Sequence, residues 1–390
     1  MKLPLIGLLV FLFSFSVFAQ DKSQLKEEIA KVVHFDTEIS HERIPGYVIG
    51  IIVGDSVFTY GFGQKAKEVE EVPDENTLFE IGSVTKVFTS SLLGVLSDEG
   101  LMSHEAPLND YLPKKYRNSK LQNVTISSLL THTSGLPKMP TPFGIYEEET
   151  DNPYAHYSKE LLLEFYADFE PVHRQQTTKK KRRKKLKEAE VKAPVEYIYS
   201  HLNYALLEVA MENITGQSYD ELLDERIFSQ VGMPQSFANF AAEEQANLLT
   251  AGYGRNGSEA KPWTFASFSA SQGMKSTTQD LLSFLKVHIN EPTTPLAISF
   301  RNNTIPAVNT GLTENGAMGF GWHILHQKKY YDIHLHAGST GGHRAFIGFI
   351  RETRTGVVVL SNSENGTGGL GYLLLRLINF NWKKGKSFVE

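Results

Sequence analysis

Residues 81–86 read Ile-Gly-Ser-Val-Thr-Lys, and they stand where the pattern of apolar residues changes to that of a helix. Apolar residues recur every three or four positions from Ser83 to Leu96, and Gly100 follows them. This spacing predicts a helix that begins near Ser83 and ends before Gly100. Since residues three apart lie on one face of a helix, the Ser83 hydroxyl and the Lys86 amine should be neighbours.

A serine with a lysine one helical turn away is a candidate pair for acyl transfer. A serine hydroxyl is a poor nucleophile until a base takes its proton. Lys86 can be that base if burial or neighbouring cations keep its amine neutral. Backbone N–H groups at the start of the helix can also stabilise an oxyanion that develops beside Ser83. Taken alone, however, the same tetrapeptide is typical of an ordinary capped helix.

Strand patterns lie at the two ends of the chain, and helical patterns lie between them. Near the amino-terminal end, an amphipathic helix is predicted over 21–34, followed by a hairpin of strands over 47–53 and 57–62. Further helices are predicted over residues 126–130, 161–166, 202–213, 219–227 and 278–288. Strand patterns return over residues 319–326, 330–336, 346–350 and 357–361, and a closing helix is predicted over 370–380.

This order of elements predicts an α/β protein of the α+β type. The 390 residues are ample for two lobes with large cores. We expect residues 20–82 and 300–390 to form an antiparallel sheet with flanking helices. Residues 83–299 should form a helical lobe that is inserted after the hairpin. Two such lobes leave a cleft between them, which is a common place for a ligand site.

The composition excludes several kinds of protein. The chain has no cysteine, which excludes a disulfide scaffold, a thiol nucleophile and a cysteine metal site. A net charge of −5 argues against a general role in nucleic-acid binding. His334 and His336 would share one face of a strand, but a zinc site usually needs three ligands. With no P-loop, nucleophile elbow or HExxH motif, the sequence predicts no metal and no cofactor.

Two segments bear on the location of the protein and its partners. Residues 1–19 have a positive start, an apolar run and small residues before Gln20, which predicts a cleaved signal peptide and a periplasmic or secreted protein without a membrane span. An insertion at about 174–192 contains seven consecutive cations, from Lys179 to Lys185. A solvated loop is one interpretation of this basic run, and contact with an anionic surface is the other.

Further motifs accompany residues 83–86 along nearly the whole chain. They lie at residues 76–82, 100–101, 108–113, 129–137, 199–207, 273–280, 319–322 and 336–342. In this order they resemble the serine β-lactamase and penicillin-binding protein superfamily, most closely its branch of class C β-lactamases, D-alanyl-D-alanine carboxypeptidases and esterases. The resemblance implies the β-lactamase/transpeptidase-like fold, in which helices flank an antiparallel sheet and an all-helical lobe is inserted.

The resemblance also implies roles for individual residues. Ser83 matches the nucleophile that forms an acyl-enzyme, and Lys86 matches the adjacent base. Tyr199 matches the tyrosine that moves a proton between the serine, the leaving group and water. A tyrosine can act as a base near neutral pH only if a cation such as Lys86 lowers its pKa. The oxyanion hole is expected at the backbone N–H groups of Ser83 and Ser339.

The third motif and one departure concern substrate binding. His336 is expected to orient Tyr199 or a substrate carboxylate, and Gly338 to let the substrate approach the strand. The superfamily usually has Tyr-x-Asn where this chain has Tyr199-Ser200-His201, and that Asn contacts the amide of peptide or lactam substrates. A charged His201 would help to keep Lys86 neutral and would disturb amide recognition. The departure therefore favours an ester or an unusual amide over a β-lactam.

These residues predict an exported serine hydrolase that acts on a small ester or amide, including D-amino-acid peptides derived from cell wall. The alternative is a non-catalytic protein that binds a peptide or glycan and retains the fold. Intact Ser83, Lys86 and Tyr199 favour the enzyme, whereas His201 favours the alternative. Binding to an anionic surface through the basic run is a further alternative that does not need Ser83.

Overall fold

The computed structural model describes residues 27 and 29 and residues 43–143, 152–171, 196–239, 248–327, 331–366 and 368–379. The predicted signal peptide and the basic run from Lys179 to Lys185 lie outside these ranges, as does most of the predicted helix over 21–34. Those assignments stay predictions. Among the described residues, no helix combines the length and the apolar character needed to cross a bilayer.

An eight-stranded antiparallel sheet joins the two ends of the described chain. Its spatial order is β2-β1-β12-β11-β10-β9-β8-β7, so the first hairpin pairs directly with the last strand. Two short ladders, β3 with β6 and β4 with β5, lie outside this sheet. The strands are β1 (Gly46–Val53), β2 (Ser56–Gly63), β3 (Leu78–Glu80), β4 (Gly252–Tyr253), β5 (Glu259–Ala260), β6 (Lys275–Thr277), β7 (Val308–Asn309), β8 (Gly316–Met318), β9 (His323–Gln327), β10 (Tyr331–Ser339), β11 (Arg344–Ile350) and β12 (Thr355–Ser361).

Helices pack on both faces of the eight-stranded sheet, and other helices form the inserted lobe. The α-helices are α1 (Thr85–Asp98), α2 (Leu108–Tyr111), α3 (Ile126–Leu130), α4 (Lys159–Asp168), α5 (His201–Thr215), α6 (Tyr219–Leu223), α7 (Ser229–Val231), α8 (Ser269–Gln272), α9 (Thr278–Ile289), α10 (Pro295–Asn303) and α11 (Gly368–Ile378). Short 3-10 helices lie at Gly82–Val84, Lys114–Tyr116 and Ser119–Leu121, and a π-helix lies at Asp224–Phe228.

Strand β1 shows why this sheet is buried on both faces. Its alternate residues belong to two different cores, because successive side chains of a strand point to opposite faces. Val48 and Ile52 join the large core that includes the helical lobe. Ile49 and Ile51 join a second core with residues of β12 and α11. The continuous apolar run of the sequence is therefore a strand covered on both sides.

The antiparallel sheet and the helical insertion confirm the predicted fold class. The predicted hairpin and the closing helix are present, and the helix predicted from Ser83 to Leu96 is α1, which begins and ends two residues later. The single strand predicted over 319–326 is wrong. The chain turns there between β8 and β9, with Gly321 at a φ of +76°, a left-handed conformation that departs from the extended backbone of a strand.

Helix α9 packs on the sheet, although it lies in the range predicted for the helical lobe. The contact is close because β1 has a glycine, Gly50, opposite the helix. A Cβ atom at Gly50 would lie 2.6 Å from Thr278 Cγ2 and 2.8 Å from Leu282 Cδ1. Such distances are shorter than van der Waals contact, so even one methyl group there would push the helix away from the strand.

We therefore expect Gly50→Ala to lower the free energy of unfolding by about 1–3 kcal/mol, which is the usual cost of overpacking a core. Urea denaturation followed by circular dichroism measures this change. Gly369→Ala is the matched control, since a Cβ at Gly369 in α11 meets nothing within 4 Å. A loss of stability in the control equal to that of Gly50→Ala would contradict the overpacking argument.

Candidate active site

Ser83 lies in the 3-10 turn that leads into α1 and is 8% exposed. The turn depends on Gly82, which has a φ of +50°. A Cβ at Gly82 would lie 2.6 Å from the backbone N of Ser339. Because only glycine tolerates both the left-handed conformation and so close a neighbour, Gly82 brings the Ser83 turn against the end of β10.

Lys86 is fully buried one turn after Ser83. Its Nζ atom lies 3.3 Å from Ser83 Oγ and 3.3 Å from His201 Nδ1, and it donates to the Ser271 carbonyl oxygen at 2.8 Å. Burial lowers the pKa of Lys86 well below its usual value, and the positive charge of Lys138 lowers it further. The surrounding groups are a hydroxyl, an imidazole and a carbonyl. This environment favours a neutral amine that can take a proton from Ser83.

Tyr199 completes this group from the segment that precedes α5. The Lys86 Nζ atom lies 5.1 Å from the centre of the Tyr199 ring. Burial raises the pKa of Tyr199, and a hydrogen bond with Ser83 opposes that shift. Tyr199 could act as a base near neutral pH only if a cation such as Lys86 lowered its pKa, and this condition is not met. Tyr199 is a phenol that can donate and relay a proton, and Lys86 is the stronger candidate for the base.

His336 on β10 is buried and neutral. Burial lowers its pKa well below the usual value, and His323 and Lys86 lower it further. Its Nδ1 atom lies 2.9 Å from the Ala337 carbonyl oxygen, so Nδ1 carries the proton and Nε2 keeps a lone pair. Nε2 is buried without a hydrogen-bond partner among the described residues. His336 thus offers an acceptor for a hydroxyl such as that of Tyr199, and it has no positive charge for a substrate carboxylate.

His201 occupies the first position of α5 and contacts the buried amine. Its Nδ1 atom lies 3.3 Å from both Lys86 Nζ and Ser271 Oγ. Burial lowers the pKa of His201 well below its usual value, and the charges of Lys86 and Lys138 act in the same direction. The condition of a charged His201 is therefore not met, because burial disfavours the imidazolium form. His201 is a neutral imidazole, and burial together with Lys138 accounts for the shift at Lys86.

The end of β10 lies directly against the Ser83 turn. A Cβ at Gly338 would lie 1.9 Å from the Ile81 carbonyl oxygen and 2.9 Å from the Ser83 backbone N. Gly338 therefore lets two backbone segments pack against each other. The sequence instead predicts that this glycine makes room for the substrate. The same contact brings the backbone of Ser339 beside that of Ser83. This is the arrangement that an oxyanion hole of two backbone N–H groups requires.

A cavity of about 600 Å³ opens onto these residues. Six of the seven predicted site residues line it, and Lys86 lies beneath them. The six are Ser83, Tyr199, His201, His336, Gly338 and Ser339. A volume of this size suits a small-molecule ligand.

Sequence reasoning missed several residues of this cavity. An apolar wall comes from β8, β9, β10 and the loop before β8. It consists of Leu312, Ala317, Ile324, Leu325, Leu335 and Ala337. Leu312 is 69% exposed and is the most exposed of the leucine and isoleucine side chains of this wall. Arg344 adds a guanidinium, and His323 adds an imidazole whose pKa burial lowers to about 4. Leu312 lies in a stretch between Gly311 and Gly316, a loop position that the sequence analysis could have used.

The described residues contain no group of three or more His, Asp or Glu side chains placed to hold a metal ion. The imidazoles around Tyr199 instead contact one another and the ring of Tyr199. His323 and His336 have ring centres 5.2 Å apart, and His323 lies 6.2 Å from Tyr199. These neutral rings make the cavity floor weakly polar rather than charged.

The chain belongs to the Beta-lactamase family, whose model matches residues 27–378. This match confirms the superfamily that the motifs resemble and places the chain among serine hydrolases. A beta-lactamase from Pseudomonas fluorescens is 23% identical over 371 residues, which is 86% of this chain and 94% of that protein. Protein flp from Staphylococcus aureus strain N315 is 25% identical over 348 residues, and the match covers 86% of this chain and 63% of that protein.

Solved structures share the fold. A beta-lactamase/D-alanine carboxypeptidase from Yersinia pestis, complexed with citrate, has a TM-score of 0.74 at 21% identity, covering 92% of this chain and 99% of that chain. An octameric penicillin-binding protein homologue from Pyrococcus abyssi has a TM-score of 0.70 at 23% identity, covering 94% of this chain and 78% of that chain. At these identities the likeness concerns the fold alone.

The contact between β10 and the Ser83 turn should position Ser83 for reaction. Gly338→Ala should displace the turn, because its methyl group would overlap the Ile81 carbonyl. We expect the rate at which Ser83 reacts with a fluorophosphonate to fall at least about 100-fold, since misplacement by 1 Å can cost that factor. Gly369→Ala is the control, since Gly369 lies in α11, has no left-handed φ, and a Cβ there meets nothing within 4 Å. An unchanged rate in Gly338→Ala would show that the contact does not position Ser83.

Proposed function

We propose that this protein is an exported serine hydrolase that cleaves a small ester or amide through an acyl-enzyme on Ser83. The observation that carries the proposal is the Lys86 amine, which is buried among uncharged partners 3.3 Å from Ser83 Oγ. An amine in that environment is a base at neutral pH and needs no further group to activate it. Membership of a serine hydrolase family supports the same reaction class.

The reaction begins when Lys86 Nζ takes the Ser83 proton and Ser83 Oγ bonds to the substrate carbonyl carbon. The carbonyl electrons move to its oxygen, which the backbone N–H groups of Ser83 and Ser339 stabilise. When the bond to the leaving group breaks, the Tyr199 hydroxyl donates a proton and regains one from the Lys86 ammonium. Water then attacks the acyl carbon by the reverse relay, which releases the acid and restores Ser83. We assign His336 Nε2, which has no partner among the described residues, as an acceptor available to the Tyr199 hydroxyl during this relay.

The substrate we propose has an apolar portion beside the reacting carbonyl. The wall formed by Leu312, Ile324 and the other apolar residues of the cavity supports this assignment. The neutral His336 and His201 favour an uncharged ester or amide at the centre of the site. Arg344 at the start of β11 is the group that we assign to a substrate carboxylate, as in a peptide with a free carboxyl end. Export is supported by the sequence of residues 1–19.

Intact-mass spectrometry with a fluorophosphonate, and separately with a penicillin, tests the acyl-enzyme. We expect a fluorophosphonate adduct on the wild-type protein and none on Ser83→Ala. Ser258→Ala, which changes an exposed serine away from the cavity, should label like the wild type. A folded wild-type protein that gives no adduct with either reagent would contradict the hydrolase and favour the non-catalytic binding protein.

His201 should set the preference between esters and lactams. An asparagine side chain at this position offers both a donor and an acceptor to Lys86 and to a substrate amide, whereas a neutral imidazole offers one of each on separate nitrogens. We expect His201→Asn to raise the ratio of penicillin acylation to ester hydrolysis by about tenfold, the value of one net hydrogen bond. Second-order rate constants for both substrates measure this ratio.

His323→Asn is the matched control, because His323 lines the same cavity and lies on β9 rather than beside Lys86. The ratio of penicillin acylation to ester hydrolysis in this variant should stay within about twofold of the wild-type value. A change of about twofold corresponds to less energy than one net hydrogen bond. Equal changes in both variants would show that the volume of the cavity, and not the contact with Lys86, determines the preference.

A further inference from the structure

Glu208 on α5 is a fully buried carboxylate two helical turns after His201. Its Oε2 atom accepts a hydrogen bond from the backbone N–H of Ala270 at 2.9 Å. Its Oε1 atom lies 3.2 Å from Lys159 Nζ on α4. Glu208 is 1% exposed and is absent from the lining of the active-site cavity. Glu208 has no part in the proposed reaction.

Ala270 belongs to the short helix α8, which holds the catalytic amine. The next residue, Ser271, supplies the carbonyl oxygen that accepts from Lys86 Nζ at 2.8 Å. The Ala270 carbonyl accepts from Thr89 Oγ1 on α1 at 2.6 Å. Ser271 Oγ also contacts His201 Nδ1. Helix α8 is thus fixed on one side by α1 and on the other by Glu208, and its position decides where the Lys86 amine lies.

The carboxylate of Glu208 is costly to keep in the core. Burial raises its pKa to about 7; Lys159 and the Ala270 N–H oppose the shift, and Glu212 adds to it. Lys159 does not depend on Glu208 for a partner, because Glu212 contacts it at 2.6 Å. Tyr219 on α6 is the other titratable group that interacts with Glu208. The ion pair with Lys159 does not require this costly buried carboxylate, whereas the Ala270 N–H depends on it as an acceptor.

We propose that Glu208 is a positioning residue for Lys86: its carboxylate fixes the Ala270 N–H, and thereby the Ser271 carbonyl that holds the amine beside Ser83. The inference rests on the proposed hydrolase function. A direct effect of the Glu208 charge is not the route, because burial and Lys138 are the influences on the pKa of Lys86. The hydrogen-bond acceptor, and not the negative charge, is what the site requires.

Three variants of the full-length chain separate these contributions. Glu208→Gln keeps an oxygen acceptor for Ala270 and removes the charge. Glu208→Leu keeps the volume and removes the acceptor. Lys159→Met removes the cation and leaves the acceptor in place. For each variant, the maximal rate and the half-saturation concentration for fluorophosphonate labelling of Ser83 are measured.

We expect Glu208→Leu to lower the maximal labelling rate by about 10- to 100-fold, with the half-saturation concentration within about twofold, because the base is displaced while the cavity is unchanged. Glu208→Gln should recover the rate to within about threefold of the wild type, and Lys159→Met should behave likewise. An unchanged rate in Glu208→Leu overturns the proposal. Equal losses in Glu208→Leu and Glu208→Gln also overturn it, because the charge would then be the required feature.

Nuclear magnetic resonance of the alanine-labelled protein tests the network without any reaction. The Ala270 amide proton should shift as the pH passes about 7 in the wild type, because its acceptor gains a proton there, and this shift should vanish in Glu208→Gln. An Ala270 signal that does not respond to pH in the wild type overturns the proposal even if Ser83 reacts. A wild type that shows the shift but never labels would refute the hydrolase function and leave the network established.

Discussion

The burial of the Lys86 amine is the constraint on which the site depends. An ammonium ion in the protein interior is unstable unless a carboxylate pairs with it, so an unpaired buried lysine loses its proton. The neighbours of Lys86 here are Ser83, His201 and the Ser271 carbonyl, and none of them supplies a negative charge. The fold therefore keeps a strong base, the Lys86 amine, in its neutral form. The protein segments around the amine must exclude both water and anions from it.

The neutral state of Lys86 also bears on the protonation states of Tyr199 and His336 around Ser83. Because Lys86 is neutral, no cation lowers the pKa of Tyr199, and the phenol keeps its proton. Tyr199 can then relay protons without competing with Lys86 for the first one. A neutral His336 is consistent with this, since an imidazolium there would make it harder to protonate Lys86 during the proposed reaction. One buried amine thus fixes the protonation states of its neighbours.

Much of the fold followed from local patterns. The hairpin, α1, α3 and the closing helix were predicted because apolar spacing and glycine positions act over a few residues. The turn at 319–322 was missed because an apolar tryptophan, Trp322, continues the strand pattern while Gly321 reverses the chain. The residues around Ser83 were singled out through motifs, whereas the apolar wall and Arg344 of the cavity were missed. The Ser271 carbonyl was missed too, because a backbone group has no sequence signal and α8 reaches Lys86 only through the tertiary structure.

The stretch 129–137 supports the site without lining the cavity. Its groups hold the start of α5: the Ser200 N–H donates to His132 Nδ1, and Asn203 Nδ2 donates to the Leu129 carbonyl. Tyr204 adds a hydrogen bond to the Leu130 carbonyl. Burial keeps His132 neutral, and a neutral imidazole is what the Ser200 N–H needs as an acceptor. Since Tyr199 and His201 flank Ser200, this anchoring sets the position of both, and a helix that tilted there would lose the relay and the contact with Lys86 together.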